Sequence, residues 1–217
     1  MDDTTVIYYT ANRAPEEFAR RVREHLLWAS AGIPIISVSQ KPIDFGGNIH
    51  AKGLVPSFYN VYRQILMGAE RAKTEFVACA EDDTLYVPEY FNYKPPTNAF
   101  YYNRNCWHLR PKGFFYRRNV LMSQCVAPTE LMVDALRRRF EKFKETDFIP
   151  GEFGEPGRWE VKLGLPQVEM GQFHVEPCTI TIRHRASLSG IRNSNETLCQ
   201  EKPFWGDAKE LWGRFYG

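Results

Sequence analysis

Residues Phe76–Phe91 read FVACAEDDTLYVPEYF, and this stretch decides how the rest of the chain is understood. Its first five residues are apolar and uncharged, the composition of a strand buried on both faces. The strand runs straight into Glu81, Asp82 and Asp83. In an open α/β sheet the ligand crevice lies outside the carboxyl ends of the strands, so three consecutive carboxylates arrive at a working edge. Packed together they repel one another unless a cation sits among them, and hard oxygen donors suit Mg²⁺ or Mn²⁺. A solvated acidic turn is the plainer reading; the buried strand leading into the triplet disfavours it.

Upstream, Thr5–Thr10 (TVIYYT) predicts a strand that stops at Ala11, Asn12 and Arg13. Pro15 opens a helix over EEFARRVREHLLWASA, with acids in its first turn and an apolar stripe of Phe18, Val22, Leu26 and Trp28 or Ala29. Gly32 ends the helix and Ile33–Val38 (IPIISV) predicts a second buried strand. This β-α-β beginning favours a parallel sheet. The span Ser39–Val55 holds three glycines and is expected to be a structureless loop, a type that is usually functional at this length. Pro56 and Ser57 cap a second helix, FYNVYRQILMGAERAK.

Downstream, residues 99–127 alternate short apolar runs with Arg, Asn and Gly, as antiparallel strands or hairpins do. Thr129–Lys144 predicts a helix with Leu131, Met132, Ala135, Leu136, Phe140 and Phe143 facing the core. Thr179–Ile182 (TITI) is a strand ending at Arg183, His184 and Arg185. The aromatic tail, with Phe204, Trp205, Trp212, Phe215 and Tyr216, is expected to dock onto the body. Trp28, Met67 and Met132 fit core stripes, and Cys79 reads as a buried small hydrophobe.

The 217 residues suit a single domain, 1–217, with a first half at 1–98 and a second at 99–217. Hydrophobic residues at 43% and charged residues at 25% exclude disordered and fibrous classes. Five cysteines without a C-x-x-C pair argue against a disulfide framework and a structural zinc site. No stretch approaches the ~18 apolar residues of a membrane span, and the opening MDDTTVIYYT is unlike a secretion signal. A cytoplasmic protein without a membrane span is therefore expected, and nothing points to an obligate protein partner. Gly46-Gly47 lacks a dinucleotide or P-loop pattern, and no G-x-S-x-G or Cys-His signature supports nucleophilic hydrolysis. The net charge of +2 is uneven, since residues 100–145 carry 10 Lys and Arg against 4 Asp and Glu.

Taken together, the order strand, helix, strand, Gly-rich loop, helix, strand and acid triplet resembles a GT-A glycosyltransferase of the family 2-like group. EDD followed by LYVPEYF is similar to the DxD motif and the segment after it, LMSQCVAPTELMV to the strand-to-helix segment beyond the acceptor-side strands, and TIRHRASLSGIRN to the terminal element whose histidine completes the metal site. The likeness spans roughly residues 4–195. It implies a Rossmann-like, mostly parallel central sheet flanked by helices, with a smaller antiparallel acceptor-side part. It further implies a nucleotide-sugar donor, a UDP-sugar first of all, with Mn²⁺ or Mg²⁺ as cofactor. Thr10, Ala11 and Asn12 would line the nucleotide pocket and Arg13 would lie near the diphosphate. Ser39 and Gln40 would contact the base or ribose. Asp82 would face ribose or sugar hydroxyls, Glu81 would support it, and Asp83 and His184 would ligate the metal. On the residues alone, His184 is equally a surface histidine on a basic strand end.

An inverting transfer needs a carboxylate to take the acceptor's proton. The segment IPGEFGEPGRWE offers Glu155, then Glu152, with Glu160 and Asp147 as further choices. The family's E-D pair is absent, which leaves the base and the stereochemistry open. For the acceptor, YYNRNCWHLRPKGFFYRR (101–118) interleaves aromatics with cations and nominates Trp107, Arg110, Tyr116, Arg117 and Arg118. Aromatic faces pack on sugars or bases, and the basic residues, with Arg137–Arg139, could track phosphates. The resemblance extends to small virus-encoded enzymes that glycosylate hydroxymethylated pyrimidines in phage DNA, making DNA the expected acceptor. Alternatives are a bacterial surface-glycan glycosyltransferase, a nucleotidyltransferase, and a non-catalytic nucleotide-sugar or glycan-binding module.

Overall fold

Strand β1 (Thr4–Thr10) is followed by α1 (Glu16–Ser30), β2 (Ile35–Ser39), β3 (Gly47–His50), α2 (Phe58–Arg71) and β4 (Phe76–Glu81) in a computed structural model that describes residues 3–147, 153–187 and 198–216. All seven residues of β1 are buried because parallel strands flank it: Ile7 pairs with Ile36 of β2 on one side and with Cys79 of β4 on the other. Alternate residues of β1 feed separate cores. Val6 and Tyr8 face α1 residues Phe18, Val22 and Leu26, while Ile7 and Tyr9 join Tyr62 and Ile65 of α2. Gly68 allows this close approach of α2, since a side chain there would collide with Ile7. Ser57 caps α2, its hydroxyl accepting from the Asn60 amide at 3.1 Å.

Two local expectations are corrected here. The span Ser39–Val55 contains the edge strand β3, parallel to β2. Its sequence GNIH carries little strand signal, so the open edge of β2 supplies the template that the residues do not announce. The turn into it requires glycine, because Gly46 has φ +57° and a Cβ would lie 2.5 Å from the Ile35 carbonyl oxygen. On α1 the buried stripe runs through Ala29, whereas Trp28 is 51% exposed and stacks on Phe204 at 6.2 Å. Met67 is half-buried, and Met132 and Cys79 are fully buried as expected.

The rest of the chain builds β5 (Thr84–Leu85), α3 (Pro88–Asn92), β6 (Phe100–Asn103), β7 (Cys106–Arg110), β8 (Gly113–Tyr116), β9 (Cys125–Pro128), α4 (Thr129–Lys142), α5 (Glu160–Leu163), β10 (Met170–Phe173), β11 (Thr179–Ile182), β12 (Leu198–Cys199), the hairpin β13 (Glu201–Lys202) and β14 (Gly206–Asp207), and α6 (Ala208–Tyr216). The main sheet has seven strands in the order β10-β6-β9-β4-β1-β2-β3, with only β9 antiparallel to its neighbours. A second sheet, β12-β8-β7-β11-β5, is antiparallel except where β11 meets β7. This is the mostly parallel α/β architecture with a smaller antiparallel part that the sequence predicts. β4 belongs to one sheet and β5 to the other, so Glu81–Asp83 lies where the chain crosses between them. The aromatic tail docks as expected, α6 burying Ala208, Leu211 and Phe215.

The run Arg137–Arg139 does not form one cationic face. Arg139 and Glu160 are each 1% exposed and paired with one another, which removes Arg139 from any role with phosphates and Glu160 from the candidate bases. Arg137 pairs with Glu70 of α2 at 2.8 Å.

Candidate active site

Because β1 and β4 are parallel neighbours, their carboxyl ends bring Thr10 and Asp82 together, and the Thr10 hydroxyl donates a hydrogen bond to Asp82 Oδ2. Asn12 takes φ 51° and its amide donates to Thr10 Oγ1 at 2.9 Å, while its own Oδ1 accepts from the Lys41 amide at 2.8 Å. The Gln64 side chain donates to the carbonyls of Thr10 (2.9 Å) and Val38 (2.7 Å). Thr10 is thus clamped from three directions before any ligand arrives. Thr10, Ala11, Arg13, Glu81, Asp82 and Asp83 all line a cavity of about 580 Å³ at this sheet edge. Asn12, Ser39 and Gln40 are not among its lining residues. Asn12 braces the loop, the Ser39 hydroxyl accepts from Asn48 at 2.9 Å, and Gln40 donates to the Thr10 carbonyl at 3.3 Å and reaches Gln64 at 3.5 Å.

The carboxylates carry the strain of their burial. Desolvation, with Asp83 and then Asp82 adding repulsion, pushes the Glu81 carboxyl up to about 8. Desolvation and then Asp83 push Asp82 up to about 7, against the hydrogen bond from Thr10. A site that resists holding three negative charges accepts a proton or a cation readily.

His184 follows β11, whose Thr181 pairs with Thr84 of β5, so the second sheet sets the imidazole beside Asp83. His184 Nε2 lies 3.8 Å from Asp83 Oδ2. The ring is 3% exposed, packs on Phe18 at 5.1 Å and Tyr216 at 5.7 Å, and neither ring nitrogen has a hydrogen-bond partner. Ser187 closes the turn, its amide donating to the His184 carbonyl at 3.1 Å and its hydroxyl to Asp83 Oδ2 at 3.3 Å. Burial holds the His184 imidazole below its ordinary value, Asp83 opposing and Arg183 and Arg13 reinforcing. A neutral imidazole with a free lone pair beside a carboxylate is the donor chemistry of a divalent-cation site. Among the described residues no group of three His, Cys, Asp or Glu side chains is placed to hold a metal ion; Asp83 and His184 are a pair that could supply two ligands.

The acceptor candidates divide by strand alternation. His108 and Arg110 share one face of β7, Thr181 the matching face of β11, and Phe115 with the following Arg117 that of β8. Arg110 and Arg117 therefore line the cavity, together with His108 and Arg183. Trp107 and Tyr116 sit opposite each other on the reverse face, rings 5.3 Å apart, and line a second pocket of about 600 Å³ with Lys202 above Trp107 at 3.2 Å. Arg118 is exposed and its carbonyl accepts from Arg104. His108 is the residue that sequence reading passed over; its parity with Arg110 was the available signal. Burial first, then Arg183, Arg117 and Arg110, push its imidazole down to about 2, so it is neutral in a strongly positive field.

Glu155 also lines the cavity, with Arg158 Nη1 3.4 Å from Oε2, and burial raises its carboxyl above the ordinary range. Glu152 lies outside the described residues. Asp147 ends a short 3₁₀ turn at the surface and does not line the cavity.

No protein-family model and no curated protein sequence matches the chain. Solved structures do. Over 98% of its length the chain is similar to the glycosyltransferase GlyE of Streptococcus pneumoniae TIGR4, with a TM-score of 0.56 and 9% identity, and it spans 60% of that chain. Over 82% of its length it is similar to a glycosyltransferase involved in the glycosylation of the major capsid of PBCV-1, with a TM-score of 0.51, 12% identity and 91% of that chain covered. No helix among the described residues is long and apolar enough to cross a membrane. At these identities the likeness is one of fold, and the fold is of the GT-A type.

Proposed function

We propose that this chain is a cation-dependent glycosyltransferase moving a sugar from a nucleotide-sugar donor, a UDP-sugar first of all, to an acceptor hydroxyl. The observation that carries the reading is the meeting of Asp83 and His184 beside Thr10-bound Asp82, in one cavity at the carboxyl edge of a parallel sheet. Asp83 and His184 would hold Mn²⁺ or Mg²⁺, and such an ion offsets the negative charge that grows on a departing diphosphate. Arg13 and Arg183 line the same cavity and stabilise that charge directly. Asp82, fixed by Thr10, orients ribose or sugar hydroxyls.

Glu155 is the base in this reading. The acceptor oxygen forms its bond to the anomeric carbon, its proton passes to Glu155, and the bond to the diphosphate breaks with the electron pair leaving on phosphate. The raised affinity of Glu155 for a proton suits that task, with Arg158 holding the carboxylate in place. The acceptor in this proposal is the hydroxymethyl group of a modified pyrimidine in DNA. Arg110 and Arg117 on the cavity wall, with exposed Arg118 at the end of the same hairpin, support a polyanionic partner.

The test is to incubate hydroxymethylcytosine-containing DNA with the protein, Mn²⁺ or Mg²⁺ and a panel of nucleotide sugars, then weigh the digested nucleosides. A sugar-sized mass gain that disappears in Asp83→Ala supports donor, cation site and acceptor together. Donor hydrolysis without a gain moves the acceptor to a glycan or another hydroxyl. No turnover of any donor rejects the glycosyltransferase.

A further inference from the structure

We infer that the cavity holds a second anion subsite, built by Arg110 with His108 and Arg117, which takes a phosphate group carried by the acceptor. The word acceptor rests on the glycosyltransferase reading; the subsite rests on the geometry of the second sheet.

Arg110 is 9% exposed, its Nε has no partner, and its side chain makes no ion pair among the described residues. A guanidinium taken from water without a counter-charge is costly, and proteins keep such groups where a ligand supplies the charge. Its central carbon lies 4.7 Å from the Phe115 ring centroid. Stacking of this kind occupies the face of the guanidinium and leaves its N–H edge for an in-plane oxygen acceptor. His108, 4% exposed, also has an unpartnered Nδ1. Leu109 pairs with Ile182, so Arg110 and Arg183 are cross-strand neighbours.

The subsite begins at Arg110, beside Arg183, and runs away from the donor end by way of His108 and Arg117. β11 delivers His184 to the donor end, and β7 and β8 lie one and two strands beyond it. At the usual strand spacing Arg110 stands about 5 Å from Arg183, and His108 and then Arg117, whose amide donates to the Cys106 carbonyl, lie progressively further back along β7 from the His184 end. The depth separates the subsite from an ordinary DNA-binding face. Arg110 meets a phosphate only if the phosphate enters the cavity, as one flanking an extruded nucleotide or one at a chain end does.

The experiment uses the whole protein with saturating UDP and Mn²⁺ and follows binding by calorimetry. The probes are inorganic phosphate, 5-hydroxymethyl-dCMP, its neutral nucleoside, glucose 6-phosphate and glucose. The expected result is that 5-hydroxymethyl-dCMP binds at least ~10-fold more tightly than the nucleoside, the scale of one charge-assisted hydrogen bond. Arg110→Gln should remove that margin and leave UDP affinity within about twofold. Should Arg110→Gln fail to fold, Arg117→Gln at its half-buried position carries the same test. A margin seen only between glucose 6-phosphate and glucose keeps the subsite and assigns its phosphate to a glycan. Phosphate that competes with UDP, or equal binding of phosphorylated and neutral probes, overturns the proposal. Failure of UDP itself to bind sinks the glycosyltransferase reading, while the phosphate arms, repeated without UDP, still decide the subsite.

Discussion

The imidazole of His184 stands 3.8 Å from the carboxylate of Asp83, both are buried, and neither ring nitrogen of His184 is hydrogen-bonded. The His184 nitrogens stay unsatisfied until something sits between the two side chains. Mn²⁺ at about 100 times its dissociation constant should stabilise the protein by ~2.7 kcal/mol. For a chain of this length that corresponds to a rise of about 5–10 °C in melting temperature. Asp83→Ala and His184→Ala should each lose most of the rise while folding normally. An undiminished rise in both variants would place the cation elsewhere.

Asp82 depends on Thr10 in a similar way. The Thr10 hydroxyl donates to Asp82 Oδ2 while accepting from the Asn12 amide, so it orients the carboxylate proposed to face the donor. Thr10→Val keeps the shape and removes the hydroxyl. Donor affinity should fall about tenfold or more, the scale of a hydrogen bond to a charged group. Thr10→Ser restores the hydroxyl and should restore affinity to within a few-fold of the parent. Equal losses in both variants would mean that packing of the methyl group, rather than the hydrogen bond, was at stake.

What could be read from the residues follows what is local in the chain. FVACA before EDD, the stripe Phe18–Val22–Leu26 and the strand TITI before His184 each declare themselves within one element, and the structure places each of them as its pattern predicts. The split of the acceptor candidates depends on the parity of two short strands. Trp107 and Tyr116 pair with each other on the reverse face, while His108, Arg110 and Arg117 share the cavity wall. A single-residue shift in register would exchange the two sets, and no local signal fixes that register. Gln64 was invisible for a different reason. Its bonds to Thr10 and Val38 join a helix to the ends of two strands, a relationship only the fold creates.

His108 should make stability depend on pH. Burial, with Arg183, Arg117 and Arg110, takes its folded value down to about 2, whereas an unfolded histidine titrates near ~6.5. Below that pH the unfolded chain takes up a proton that the folded chain excludes, so its contribution is present above ~6.5 and lost as pH falls. Between pH 7.5 and 5 the loss amounts to about 2 kcal/mol. His25, also held down by burial, acts with the same sign. Glu81 and Asp82, raised to about 8 and about 7, act oppositely and lose stability as pH rises toward those values. The difference between the parent and His108→Gln isolates the one group. Measured by urea unfolding at both pH values, it should change by about 2 kcal/mol, and a constant difference would show that His108 titrates normally.

Arg139 and Glu160 tie α4 to α5 across the second half of the chain, each 1% exposed, with Arg139 also donating to the Ala135 carbonyl at 3.2 Å. Breaking such a pair leaves one buried charge without compensation, at a cost of about 3–5 kcal/mol. Arg139→Met or Glu160→Leu alone should therefore lower stability by that amount. The double variant removes both charges and replaces them with apolar volume, which commonly recovers most of the loss. Chemical denaturation of the four proteins reads the coupling directly. Additive losses in the double variant would mean that the two side chains stabilise the fold through separate packing, and the loop before α5, which carries Glu155, would then owe its position to something other than this ion pair.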